Sequence, residues 1–354
     1  MPDGLSRRDR GRILLTTDAV GGIWRYTLDL AHGLAERGMT PVIAVLGPAP
    51  DTSQRAEAAP FELIETGLAL DWTAASPNEL SATVASLRSL ASGTGSAHLH
   101  APALAGHEPW SLPVVAVAHS CTATWWRAVR GDALQSDFAW RMAATGAGLR
   151  AADAVIAPTR SHAEAVRAVY GAVPIAVVHN GAALPAPTTT ARDRAVLAAG
   201  RLWDEGKNLA ALDRIAPLLD APIFAAGPVA GPNGATIALP HLHLRGALSQ
   251  AEMRAEYARC RVFASPARYE PFGLSVLEAA LAGMRLVLWE IPSFRELWDG
   301  AATFVADDDA LLLALRHALD QPGDGGAQHR AQRYTLDAMV DRTLAVHRRF
   351  GARV

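Results

Sequence analysis

Short apolar runs alternate along this chain with longer stretches whose apolar residues recur at helical spacing, the pattern of βα units feeding a parallel sheet. In the first half the runs predict strands over residues 12–16, 41–46, 61–64, 97–100, 114–118, 154–157 and 175–178. The second half repeats the scheme over 195–199, 222–226, 242–244, 262–264, 286–288 and 303–305. Between the halves, Asn180-Gly181 signals a turn, and the Pro/Thr-rich stretch 184–190 continues neither a helix nor a central strand. The boundary is therefore expected there, dividing the chain into 1–183, 184–335 and an amphipathic tail, 336–354, that follows the breaker Pro322-Gly323-Asp324-Gly325-Gly326.

Length and composition agree with this division. A chain of 354 residues is long for one domain and sufficient for two, each with its own core. Half the residues are apolar and 19% are charged, which places the chain among folded globular proteins. A formal net charge of −2 supplies no field for nucleic acid, and only the leader Arg7-Arg8-Asp9-Arg10 is locally basic, as a solvated tail would be. The two cysteines, Cys121 and Cys260, have no metal or redox spacing and suit a reducing compartment. The run Ile13-Leu14-Leu15 is too short for a signal-peptide core, and no segment reaches bilayer length. A cytoplasmic protein is expected, and peripheral contact with the inner membrane face stays open.

The candidate chemistry lies in the loops that follow strands. Glu270 precedes a glycine turn that opens a helix, and Glu278 lies about 12 Å further along it. The unpartnered N–H groups and dipole of that helix start favour phosphates and hydroxyls, so the pair suits a nucleotide-sugar, with Glu270 toward a sugar and Glu278 toward a ribose. Arg201 and Lys207, with Gly200 and Gly206, follow another strand, where open α/β sheets place ligands; a guanidinium fork plus an ammonium would bind a diphosphate. A solvated pairing with Asp204 and Glu205 is the plainer account of those cations.

In the first half, Thr16-Thr-Asp-Ala-Val-Gly21-Gly22 makes a βα turn that admits a close backbone approach but lacks the dinucleotide pattern, which counts against a dehydrogenase. His119 follows a strand and is expected to face the cleft between the domains. His98 and His100 alternate along a strand end and lack an evident third metal ligand, so they are expected in the core or lining the cleft. Asp307-Asp308-Asp309 has the spacing of a metal-binding pair but reads as a helix cap. Tryptophans crowd the first half, and Trp125-Trp126 beside Arg127 and Arg130 would suit a carbohydrate pocket or a membrane interface, with helix packing the plain account of the rest.

The string Glu270-Pro271-Phe272-Gly273-Leu274 with Glu278, followed by Ala279-Ala280-Leu281-Ala282-Gly283, closely resembles the E-x7-E motif of glycosyltransferase family 4. Gly200-Arg201-Leu202 with Lys207, and Gly21-Gly22 before Leu30-Ala31 and Leu34, resemble its phosphate clamp and glycine loop in the same order. The loop Trp289–Glu296 departs from the family pattern in lacking paired glycines. The resemblance implies an α/β fold of two Rossmann-like domains facing across a cleft (GT-B), with the tail crossing back onto the first. It implies a retaining transferase of carbohydrate biosynthesis that moves a hexosyl-type sugar from a nucleoside-diphosphate sugar to a carbohydrate, lipid-linked or small-molecule acceptor, without a metal or other cofactor.

In the implied roles, Arg201 and Lys207 neutralise the diphosphate, and Glu278 holds the ribose. Glu270 and the backbone of Phe272, Gly273 and Leu274 hold the sugar. His119 reaches the same sugar, and Gly21, Gly22, Gly246 and Leu248 frame the donor. Retention also fits the want of an obvious carboxylate base on the acceptor side. An epimerase of the same fold and a non-catalytic sugar-nucleotide-binding protein are the rival readings.

Overall fold

The computed structural model describes residues 11–106, 108–131, 136–183, 192–321 and 325–352. The leader arginines, the Pro/Thr stretch 184–190 and Pro322–Asp324 lie outside the described residues. The chain divides into two compact units, one of residues 1–181 with 336–354, the other of residues 182–335.

The first unit carries seven strands, β1 (Arg12–Asp18), β2 (Thr40–Leu46), β3 (Glu62–Glu65), β4 (Ser96–Leu99), β5 (Val114–Val117), β6 (Ala154–Ala157) and β7 (Ile175–Val177). They pair in parallel in the order β3-β2-β1-β4-β5-β6-β7. The second unit carries β8 (Asp193–Ala199), β9 (Ile223–Ala226), β10 (His243–Gly246), β11 (Cys260–Ser265), β12 (Arg285–Trp289) and β13 (Thr303–Val305), also parallel, in the order β10-β9-β8-β11-β12-β13. Each sheet thus has one switch point, between β1 and β4 and between β8 and β11. There the connections leave toward opposite edges and a crevice opens at the carboxyl ends of the strands.

The central apolar runs are buried because helices cover both faces of each sheet, whereas the edge strand β10 is exposed. Leu14, Ala44 and Ala97 share one core with the helix Pro77–Leu90, and Leu197, Phe263 and Leu288 share another with the helices Leu274–Leu281 and Pro292–Trp298. The tail is the helix Leu336–Arg349, with Met339, Val340, Leu344 and His347 buried in the first unit. It lies so close to the helix Gly22–Glu36 that a Cβ on Gly33 would fall 2.4 Å from Val340 Cγ2. Arg37 fixes the approach with bonds to Asp337 and Asp341 at 3.0 and 2.7 Å. The glycine-rich breaker is shorter than its composition suggests, because the short helix Gly326–Ala331 begins within it and buries Ala327 and Ala331.

Candidate active site

The second unit gathers its candidate residues at the β8/β11 switch point. After β8, Gly200 leads into Arg201, the short 3-10 turn Glu205–Lys207 and Asn208, whose φ of 53° is left-handed. Four contacts tie this loop to the one after β11. Gly206 O accepts from Arg268 N at 2.8 Å and Tyr269 N at 3.2 Å, Asn208 Nδ2 donates to Pro266 O at 3.1 Å, and Lys207 Nζ is bonded to Glu270 Oε2. Both members of that ion pair are largely covered, their side chains 17% and 12% exposed. The two loops therefore behave as one rigid frame.

Gly273 caps the helix Leu274–Leu281 with φ of 89° and no side chain, so the first-turn N–H groups of that helix are open to an anion or a hydroxyl. A side chain on Gly273 would also press on Phe294 and on Glu270 itself. Arg201 is engaged within its own loop, donating to Asp204 Oδ2 at 2.9 Å and lying 5.6 Å from the Trp203 ring centroid. The plainer account of Arg201 given by the sequence thus matches its pairing with Asp204, while Lys207 pairs with Glu270.

Glu278 is held from the helix Gln250–Arg259. Tyr257 donates its hydroxyl to Glu278 Oε2 at 3.0 Å, and burial beside that carboxylate pushes the phenol pKa well up, so it stays a donor. The hydroxyl of Ser293 donates to Glu270 O. Ser293 belongs to the departing segment after β12, which forms the helix Pro292–Trp298 and supports Glu270 where paired glycines were missing. Gly246 ends β10 with φ of 68°, but its carbonyl accepts from Gly227 N at 2.7 Å, so only its other backbone groups remain to frame a ligand. Leu248 packs against the core below it, and Phe272 is buried there. Tyr257, Ser293 and Asn208 carried no sequence signal beyond ordinary helix and turn pattern.

The first unit has its own cluster at β1/β4. Gly21 and Gly22 open the helix Gly22–Glu36 with no side-chain cap, and Asp18 Oδ1 accepts from Val20 N at 2.9 Å. His100 follows β4 and His119 follows β5; their rings meet, Nδ1 to Nε2, at 2.9 Å. His98 lies beneath them and meets His347 of the tail at 3.1 Å. His98 and His100 are therefore core residues rather than an exposed pair. Among the described residues no group of three or more histidine, cysteine or carboxylate side chains is placed to hold a metal.

Asp307 caps the helix Asp308–Asp320, accepting from Ala310 N at 2.7 Å, and Asp308 is paired with Arg214. The tryptophans serve mostly as packing. Trp24 and Trp126 are buried, and Trp72, Trp110 and Trp140 lie against the first core. No helix among the described residues is long and apolar enough to cross a membrane.

Burial depresses these imidazoles, His347 and His119 to about 3 and His162 to about 4, with His98 and His100 also well below the usual 6.5. Below about 6.5 the unfolded chain binds protons that the folded one refuses, so stability is full above that pH and is lost as the pH falls toward the folded values. For the fully buried His347 the loss is about 1.4 kcal/mol per pH unit. Asp71 acts oppositely over a narrower window, because burial and the nearby Asp18 raise its carboxyl to about 6. Chemical unfolding at pH 7.5 and 5.5 should show a marked acid loss that His347→Gln reduces; equal losses in both proteins would contradict this assignment.

Residues 20–184 match the family model Glycosyltransferase Family 4, and residues 193–321 match Glycosyl transferases group 1. The chain is a family 4-like glycosyltransferase. Curated relatives of this glycosyltransferase include glycogen synthases from two Mycobacterium tuberculosis strains, CDC 1551 / Oshkosh and ATCC 25618 / H37Rv. Each is 36% identical over 100 residues, 27% of this chain. The match spans about a quarter of those relatives, 24% of their length.

Among solved structures, a sucrose-phosphate synthase from Thermosynechococcus elongatus matches with a TM-score of 0.75 at 17% identity, over 97% of this chain and all (100%) of its own. Anabaena Alr3699/HepE, solved in complex with UDP and glucose, matches with a TM-score of 0.73 at 15% identity, over 96% and 99%. These likenesses establish the fold, the two-domain Rossmann-like architecture of GT-B glycosyltransferases.

Proposed function

We propose that this glycosyltransferase moves a hexosyl-type sugar from a nucleoside-diphosphate sugar to a carbohydrate, lipid-linked or small-molecule acceptor, with retention of configuration and without a divalent metal. The observation that carries the reading is the joined pair of loops at the β8/β11 switch point. Two cations, two carboxylates and an uncapped helix start converge there within a few residues of the strand ends. A diphosphate entering this frame replaces Asp204 and Glu270 as partner of Arg201 and Lys207, which then stabilise the charge that develops as the glycosidic bond breaks. Release of Glu270 from Lys207 frees its carboxylate for sugar hydroxyls, and Glu278, oriented by Tyr257, accepts from the ribose.

Support for the donor class comes from the Anabaena neighbour that was solved with UDP-glucose. Gly21 and Gly22 belong to the same reading, as backbone that a bound donor or acceptor approaches closely. With the leaving diphosphate available to take the acceptor proton, no separate protein base is required for retention. An NMR assay of the first-formed product separates the two outcomes: an α-linked product from an α-linked donor supports retention, and a β-linked product sinks it.

Metal independence rests on the cation pair serving the diphosphate and on Asp307 being spent as a cap. Transfer is expected to survive chelator, and Asp307→Asn to cost little activity. Restoration by magnesium or manganese of transfer lost to chelator would overturn this part.

A further inference from the structure

We infer that the C-terminal half of the helix Leu336–Arg349 is an acid-released latch, seated on the first unit through the paired imidazoles of His98 and His347 and lifting from that seat, ahead of global unfolding, when protons compete for the pair. The seat lies within the first unit and involves none of the donor-loop residues. His98 Nδ1 and His347 Nε2 meet at 3.1 Å, and both residues are fully buried. Their other nitrogens, His98 Nε2 and His347 Nδ1, are buried too and make no bond among the described residues. Two neutral rings carry one proton each, so whichever ring donates across the contact, one N–H and one lone pair are left over. Each left-over group lacks the partner that water would give it, which weakens the seat. The earlier turns are held better, by the buried Met339 and Val340 and by the bonds from Arg37 to Asp337 and Asp341. Opening is therefore cheapest around His347, in the last turn.

The groups packed around the pair give a proton no help. Next to β4, His100 lies 5.0 Å from His98 between ring centroids, and β5 (Val114–Val117) has no titratable side chain. The helix Gly22–Glu36 brings Tyr26, stacked on His98 at 6.4 Å with its phenol kept protonated by burial, while its Arg25 and Asp29 are bonded to each other. Burial, together with the other imidazoles His100 and His119, disfavours a charge on His98, and burial alone does so on His347. No carboxylate offsets this among the described residues. Lifted into water, each ring regains its ordinary proton affinity, half-saturated near pH 6.5. The lifted state thus takes up to two protons that the seated state refuses. Above about pH 6.5 the seat keeps its full strength, and below it the seat weakens as the pH falls.

Amide hydrogen exchange of the full chain at pH 7.5, 6.0 and 5.0, corrected for intrinsic rates, tests the latch. The opening constant for amides of residues 343–349 should rise about 60-fold from pH 6.0 to 5.0, the product of about eightfold from each freed imidazole. Amides of the helix Pro77–Leu90, in the same unit, report global opening and should stay better protected throughout. His347→Leu should leave about eightfold, the share of His98, and adding His98→Leu should flatten the response. Equal protection and equal pH slope in the two helices would overturn the latch, and so would a flat wild-type response between pH 6.0 and 5.0. Either result is read from the wild type alone, whether or not the double variant folds. A full 60-fold step that survives in a folded double variant would overturn the assignment to this histidine pair.

Discussion

Lys207→Ala is expected to lower turnover about 100-fold or more while the protein stays folded, because it removes a cation placed to meet charge that exists only as the diphosphate leaves. The magnitude follows from geometry as well as charge. Lys207 is largely covered, braced by the backbone bonds of Gly206 to the opposite loop, and bonded to Glu270, so it is preorganised rather than recruited from solvent. Arg201→Ala is expected to cost a similar factor, although Asp204 keeps its bond from Gly206 N at 2.9 Å and the loop should hold. Single-turnover rates at saturating donor, with unfolding curves as the control for folding, measure both. Wild-type turnover in a folded double variant would dismiss the clamp.

Gly227→Ala should cost about 3 kcal/mol or more in the second unit and abolish donor binding with it, since backbone strain and a backbone clash act together. Gly227 follows β9 with φ of 138°, and a Cβ there would fall 1.8 Å from Gly200 O. Backbone cannot rotate aside as a side chain would, so the loop that leads to Arg201 must shift. Gly234→Ala is the comparison: its φ of 81° carries the conformational cost, but nothing lies within 4 Å of the added carbon. About 1–2 kcal/mol is expected there, with donor binding intact. Urea unfolding of the two variants decides the matter, and equal losses would mean that the close approach to Gly200 has no energetic weight.

The strands were legible because a parallel sheet covered on both faces demands unbroken apolar runs, and these runs stand between turn residues that mark their ends. The helix Leu336–Arg349 was legible for the complementary reason, a long amphipathic pattern after a breaker. The short helix Gly326–Ala331 was not, because six residues hold too little periodicity to outweigh two glycines. At the site, glycine-bounded loops after strands pointed to Arg201, Lys207, Glu270 and Glu278. Their side-chain partners did not show, since Lys207 with Glu270 and Tyr257 with Glu278 are tertiary pairs across different loops and helices. Alternation put His98 and His100 on one face, but the contacts to Thr27, His119 and His347 depend on how two strands and two helices pack.

The account stands or falls on a nucleoside-diphosphate sugar binding at the β8/β11 loops. A panel of these donors, scored by the unfolding transition and by release of free nucleoside diphosphate, is the most direct measurement. One donor at 100 times its dissociation constant should stabilise the protein by about 2.7 kcal/mol. That stabilisation should fall away in Glu278→Ala, and the wild type should convert the same donor to nucleoside diphosphate when acceptor is supplied. A panel in which no donor shifts the transition and none is consumed would contradict the account.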